Sequence, residues 1–164
     1  MTTIRLEAED DFEAVREILI QAFGGKEEAE LLEALRESGD LVLALVAEEK
    51  ESITGQIAFS RLWVEQGEER HPAVALAPLA VAPDRNGRGL ATRLVREAHA
   101  CLAAMGESLS VVLGEPEFYS QFGYTHGRAA RFESKYQSPY LQAVSFRDAP
   151  GSGALRYPEP FNRF

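Results

Sequence analysis

The spacing of apolar positions changes several times along the chain, and each change marks an element. Ile4 and Leu6 alternate with polar neighbours, so Thr3 to Glu7 predicts a short strand. The spacing then lengthens: Phe12, Val15, Ile18, Leu19 and Phe23 fall on one face of a helix that Asp10 or Asp11 can cap and Gly24-Gly25 ends. A second helix runs from Lys26 to Ser38, with Ala29, Leu31, Leu32, Ala34 and Leu35 inward, and Gly39-Asp40 closes it. Leu41 to Ala47 and Ile53 to Val64 read as strands joined by the acidic turn Glu48 to Glu51, which predicts an antiparallel hairpin. Polar residues from Glu65 to His71 lead into a third antiparallel strand, Ala73 to Val81.

Leu90, Leu94, Val95, Ala98, Cys101, Leu102 and Met105 recur at helical spacing, giving a helix from about Gly87 to Met105 that Gly106 stops. Leu109 to Leu113 is a short apolar strand of the kind found as a buried parallel neighbour. Gly114 and Pro116 punctuate a short helix near Glu117 to Phe122, Gly123-Tyr124 begins a further strand, and Tyr140 to Phe146 is the last. The Gly- and Pro-rich tail reads as surface loop apart from Leu155 to Tyr157. The order predicts an α/β (α+β) fold: a mixed, mostly antiparallel sheet with flanking helices, in which one β-α-β unit makes a single parallel pairing. No repeat, low-complexity tract or boundary breaks it, so residues 1–164 read as a single domain.

Composition narrows the partners. A chain of 164 residues with 45% hydrophobic and 26% charged positions can bury a real core. Its formal net charge of −9 argues against nucleic acid or an anionic membrane and leans toward a cationic or neutral substrate. Met1 to Asp11 has no basic-then-apolar leader, and no apolar run approaches the roughly 20 residues of a membrane span. One cysteine, Cys101, precludes an internal disulfide and fits a reducing compartment, so a cytoplasmic location is expected.

The most informative stretch follows Pro83: Asp84-Arg85-Asn86-Gly87-Arg88-Gly89-Leu90-Ala91-Thr92. A strand runs into a turn with two glycines, and a strong amphipathic helix begins at once. Gly87 and Gly89 lack Cβ, so the backbone can bend tightly and another group can come close. The first helical N–H groups have no intrahelical partners, and their partial positive charge favours phosphate. A phosphorylated cofactor is therefore expected. A dinucleotide fingerprint would place a third glycine where Thr92 stands, and would follow its strand directly, whereas five residues separate Val81 from Gly87. No Gly-Lys-Ser/Thr sequence occurs, which excludes a P-loop.

Asn86-Gly87-Arg88-Gly89-Leu90-Ala91 resembles the cofactor loop of the GNAT N-acetyltransferases, Gln/Arg-x-x-Gly-x-Gly/Ala, with Asn86 replacing the usual first residue. Tyr119-Ser120-Gln121-Phe122-Gly123-Tyr124 resembles that family's second signature, Tyr-x-x-x-Gly-Phe. Ala77 to Val81 and Val112 to Tyr119 are similar to the YhbS-like subgroup. The resemblance implies a GNAT-type sheet whose parallel pair splays into a cleft. It implies acetyl-CoA as cosubstrate, its pantetheine arm beside Leu79, Ala80 and Val81, and its pyrophosphate on the loop from Asn86 through Gly87, Arg88, Gly89, Leu90 and Ala91 to Thr92. The acceptor would be a small-molecule or peptide amine, attacked directly in a ternary complex; dimers are frequent in the family. The other functional reading is a non-catalytic acyl-CoA-binding or sensing module.

Amide formation from a thioester requires a deprotonated amine, a donor for the oxyanion and a proton for the leaving thiolate. Tyr119, near the thioester sulfur by resemblance, is the candidate proton donor, and a backbone N–H near Val81 the candidate oxyanion donor. For the base, Glu115, Glu117, His71, His126 and a backbone-held water all stand, each glutamate also reading as a solvated charge. Cys101 sits on the apolar face of a helix and reads as structural. Trp63, with Phe59, Leu62 and Val64, reads as strand packing, with a place on a substrate pocket as the other reading. The three histidines lack metal-ligand spacing, so no metal is expected.

Overall fold

The computed structural model describes residues 1–87 and 89–163. Strand β1 is Thr2–Leu6, followed by a 3-10 turn at Glu9–Asp11 and two helices, α1 (Phe12–Phe23) and α2 (Glu27–Ser38). Strands β2 (Leu41–Glu49), β3 (Ser52–Gln66) and β4 (Glu69–Val81) form a meander; after a 3-10 turn at Pro83–Arg85 comes the long helix α3 (Leu90–Ala104). Strand β5 is Leu109–Leu113; α4 (Pro116–Tyr119), a 3-10 turn and α5 (His126–Ala129) follow, then β6 (Phe132–Glu133), β7 (Leu141–Ser145), β8 (Gly153–Arg156) and a last 3-10 segment, Glu159–Arg163.

The main sheet runs β1-β2-β3-β4-β5-β7, antiparallel throughout except for β4 with β5. Period-2 alternation sorts its side chains. Leu43, Leu45 and Ala47 meet the α3 stripe of Leu90, Leu94, Val95, Ala98 and Leu102, while Val46, Ala58 and Ala80 meet Val15, Leu19 and Leu32 of α1 and α2. All five residues of the α3 stripe are buried, at about 1.5–3 kcal/mol for each large side chain, and that fixes where the helix begins.

Several expectations need correction. Asp11 does not cap α1 with its side chain: its carboxylate accepts from Arg5 (2.7 and 2.9 Å) and from the Ala8 N–H (2.7 Å), tying β1 to the turn. Phe23 is 47% exposed rather than interior. The acidic turn shrinks to Lys50 and Glu51, both left-handed (φ 51° and 66°), the twist that a two-residue hairpin loop requires. Tyr124 starts no strand; Thr125 makes an isolated bridge to Ala143 and α5 follows. The tail adds β8, which pairs antiparallel with β3 and parallel with β6, a second parallel contact that the two-residue β6 did not announce.

Candidate functional site

The parallel pair is short. Val74, Ala75 and Leu76 of β4 pair with Ser110, Val111 and Val112 of β5, and the register ends there. Immediately beyond, β4 carries a bulge: Leu76 lies opposite Phe59 but Leu79 lies opposite Ile57, so β4 spends an extra residue at Ala77-Pro78. Pro78 has no N–H to offer a neighbour. From this point β4 follows β3, while β5 follows β7 to Leu113 opposite Leu141. The diverging strands leave a cavity of about 940 Å³ that passes through the sheet. Val81, Pro83, Asn86 and Ala91 line it beside α3; Leu79, Leu113, Gly114, Phe118 and Tyr119 line its middle; Phe23, Glu27, Glu28, Leu31, Tyr136, Tyr157 and Phe161 line the part facing α1 and α2.

Strand alternation decides which backbone groups face the opening. The Ala82 N–H donates to Thr54 O (2.8 Å), and Ala80 is in register with Gln56. The main-chain groups of Leu79 and Val81 therefore point away from β3, toward the edge that β5 has left. Ala80 turns its main chain to β3 and its side chain into the α1/α2 core.

At the adjoining helix end, Gly89 is the N-cap of α3 with φ 71° and ψ 13°, a left-handed conformation that favours glycine, and no side chain caps the helix. The first helical bond shown there is Arg93 N–H to Gly89 O (3.1 Å), so the amides of Leu90, Ala91 and Thr92 precede any intrahelical partner. Leu90's side chain is core; only its backbone is available. Asn86 and Ala91 reach the cavity wall, Gly87 and Gly89 are exposed beside it, and Arg88 lies outside the described residues. Arg85 is no free cation: it pairs with Asp84 (3.0 Å) and Glu49 (3.4 Å). The N-terminus of α3 makes this end attractive to an anion.

Tyr119 closes the middle of the cleft. Its ring lies so close to Gly114 that a Cβ there would fall 2.5 Å from Cε2. Phe118 and Tyr124 hold it edge-to-face, with centroids at 4.9 and 5.7 Å. Burial pushes its hydroxyl up to about 12, so it stays protonated at neutral pH. Tyr124, fully buried behind it, is raised above its ordinary value by burial; its hydroxyl joins Ser110 Oγ (2.8 Å) to His99 Nε2 (3.0 Å). Burial lowers His99 to about 4, which keeps that ring neutral.

Of the candidate bases, Glu115 touches the cavity. Glu117 is exposed, His71 lies in the β3–β4 hairpin 3.7 Å from Glu69, and the His126 Nδ1 pairs with Leu141 O (3.0 Å). Trp63 stacks under Arg70 (3.9 Å) rather than on the cavity, and Cys101 packs against the α3-side core. Among the described residues, no group of three or more His, Cys, Asp or Glu is arranged to hold a metal, and no helix is long and apolar enough to cross a membrane.

Residues 3–127 match the family described as the Acetyltransferase (GNAT) domain. The chain belongs to the GNAT acetyltransferases. It is 37% identical to the Escherichia coli K12 protein named Uncharacterized N-acetyltransferase YhbS, over 98% of this chain and 99% of that one. Its fold matches a crystal structure of YhbS from Escherichia coli in complex with CoA, with a TM-score of 0.91 and 34% identity over 99% of this chain and 93% of the other. It also matches a GNAT family acetyltransferase from Brucella melitensis in complex with acetyl-CoA, with a TM-score of 0.84 and 30% identity over 98% of both chains.

In this GNAT chain the structure brings Leu79, Val81, Asn86, Ala91 and Tyr119 onto one cleft. The sequence reading missed Phe23, Tyr136, Tyr157 and Phe161 as cleft residues. The signal for the last two was present: aromatics in an otherwise Gly- and Pro-rich tail, whose area must be covered somewhere.

Proposed function

We propose that this GNAT chain, acting as one domain over residues 1–164, transfers an acetyl group from acetyl-CoA to a primary amine by direct attack in a ternary complex. The observation that carries this reading is the meeting, in one cleft through the sheet, of an unpaired β4 edge with the uncapped N-terminus of α3. CoA and acetyl-CoA in the two similar structures support the cosubstrate. Leu79 and Val81 offer main-chain groups to the pantetheine amides. The amides from Gly89 to Thr92, with Asn86 and Gly87 beside them, hold the diphosphate. A Val81 N–H serves the oxyanion.

The amine nitrogen bonds to the carbonyl carbon, and the tetrahedral oxyanion so formed collapses as the C–S bond breaks. Tyr119 gives its proton to the departing thiolate, and the proton lost by the amine returns to the phenolate through water or Glu115. A neutral phenol is the required form, and burial keeps Tyr119 in it. The test is CoA release over a panel of amines with wild type and Tyr119→Phe. The variant is expected to lose about 10²-fold in kcat with little change in the KM for acetyl-CoA. Undiminished turnover removes Tyr119 from the chemistry. Acetyl-CoA bound without turnover of any amine supports a carrier or sensor instead.

A further inference from the structure

The part of the cleft facing α1 and α2 has its own chemistry. Every charged side chain among its described lining residues is acidic: Glu27 and Glu28 at the start of α2, and Glu115 after β5. Glutamates in a first helical turn are favoured by the helix dipole alone. These line a cavity that also carries an aromatic wall, which the dipole does not require. Tyr136, Tyr157 and Phe161 form that wall as one packed cluster, with centroids 5.0 and 5.2 Å apart. All three follow residue 127, beyond the segment that matches the GNAT family. Lys135 stands behind this wall, its Nζ 5.1 Å from the Tyr136 ring centroid; it donates to Asn162 Oδ1 (2.9 Å) and lines a separate pocket of about 350 Å³.

Resting on the reading above, we infer that the acceptor is a cationic amine with an apolar or aromatic body and no carboxylate. Aromatic faces attract an alkylammonium and cover its hydrocarbon, and the two glutamates match its charge. An amino acid's carboxylate would meet Glu27, Glu28 and Glu115 with no described basic lining group to pair with, and a desolvated, unpaired charge is strongly disfavoured. The C-terminal segment thereby sets acceptor choice.

A matched set tests this: phenethylamine, phenylalaninamide and phenylalanine share a body and differ in charge. Each is titrated calorimetrically into CoA-loaded protein and compared by kcat/KM with acetyl-CoA. Phenethylamine and phenylalaninamide are expected to exceed phenylalanine by at least about tenfold. In Glu27→Gln/Glu28→Gln that ratio shrinks severalfold. The ratio is taken within one preparation, so partial unfolding leaves it unchanged. Equal binding of the three, an unchanged ratio in the variant, or no binding by any of them overturns the inference. Protein that takes up no CoA at the outset overturns the acetyltransferase reading itself.

Discussion

Gly114→Ala is a sharp perturbation because it reaches Tyr119 without touching the phenol chemically. The new methyl would lie 2.5 Å from Cε2 and 3.0 Å from Cδ2, where ordinary contact begins near 3.4 Å. The ring must therefore give by about 0.9 Å at Cε2. Phe118 and Tyr124 brace it from other directions, so it swings into the open cleft and carries the hydroxyl with it. A misplacement of about 1 Å costs on the order of 10²-fold in rate, or roughly 2.7 kcal/mol of barrier. Because the cleft has room, the stability cost is smaller, about 1 kcal/mol. Urea unfolding measures the second quantity, and kcat for acetyl transfer at saturating acetyl-CoA the first. Adding Tyr119→Phe to Gly114→Ala is expected to cost little more than either alone, since both remove the same proton transfer. Wild-type kcat in Gly114→Ala, or losses that multiply in the double variant, would refute the role given to Tyr119.

Two further outcomes concern stability. His99 is held near 4 in the folded chain against an ordinary 6.5, so below 6.5 the unfolded chain takes up a proton that the folded one refuses. That contribution is fully present above pH 6.5 and lost toward pH 4; screening of the half-buried ring limits it to about 1–2 kcal/mol, and His99→Gln is expected to flatten the fall in urea midpoint between pH 7.5 and 4.5. The Glu7–Arg36 pair (2.9 Å, side chains 6% and 13% exposed) is nearly buried, so Arg36→Leu strands a carboxylate and is expected to cost about 3 kcal/mol by urea unfolding, with Glu7→Leu/Arg36→Leu recovering part of it.

The fold was legible because its elements are long and their periods clear. The α3 stripe from Leu90 to Leu102 and the β2–β3–β4 meander stand where the apolar spacing puts them, within a few residues at the ends. The loop around Gly89 was legible because a glycine spacing before a helix carries its own mechanism. What stayed hidden depended on partners distant in sequence. Asp11 serves Arg5 across a turn rather than a helix end. Tyr124 is fixed by Ser110 and His99, which only the assembled sheet and helix bring together. Phe23 belongs to a face on which Val15, Ile18 and Leu19 are buried, and its exposure follows from the cleft beside it. The wall of Tyr136, Tyr157 and Phe161 comes from a turn, a residue just past β8 and a short 3-10 segment, with no periodicity to read.

The most direct measurement compares CoA with pantetheine by calorimetry on the purified chain. If the amides ahead of Arg93 hold the diphosphate, CoA binds at a single site and pantetheine, lacking that group, binds at least about 100-fold more weakly. Gly89→Glu, which sets a carboxylate before the helix N-terminus, brings CoA down to the pantetheine level. Equal affinity for the two ligands, or CoA binding undisturbed in Gly89→Glu, contradicts it.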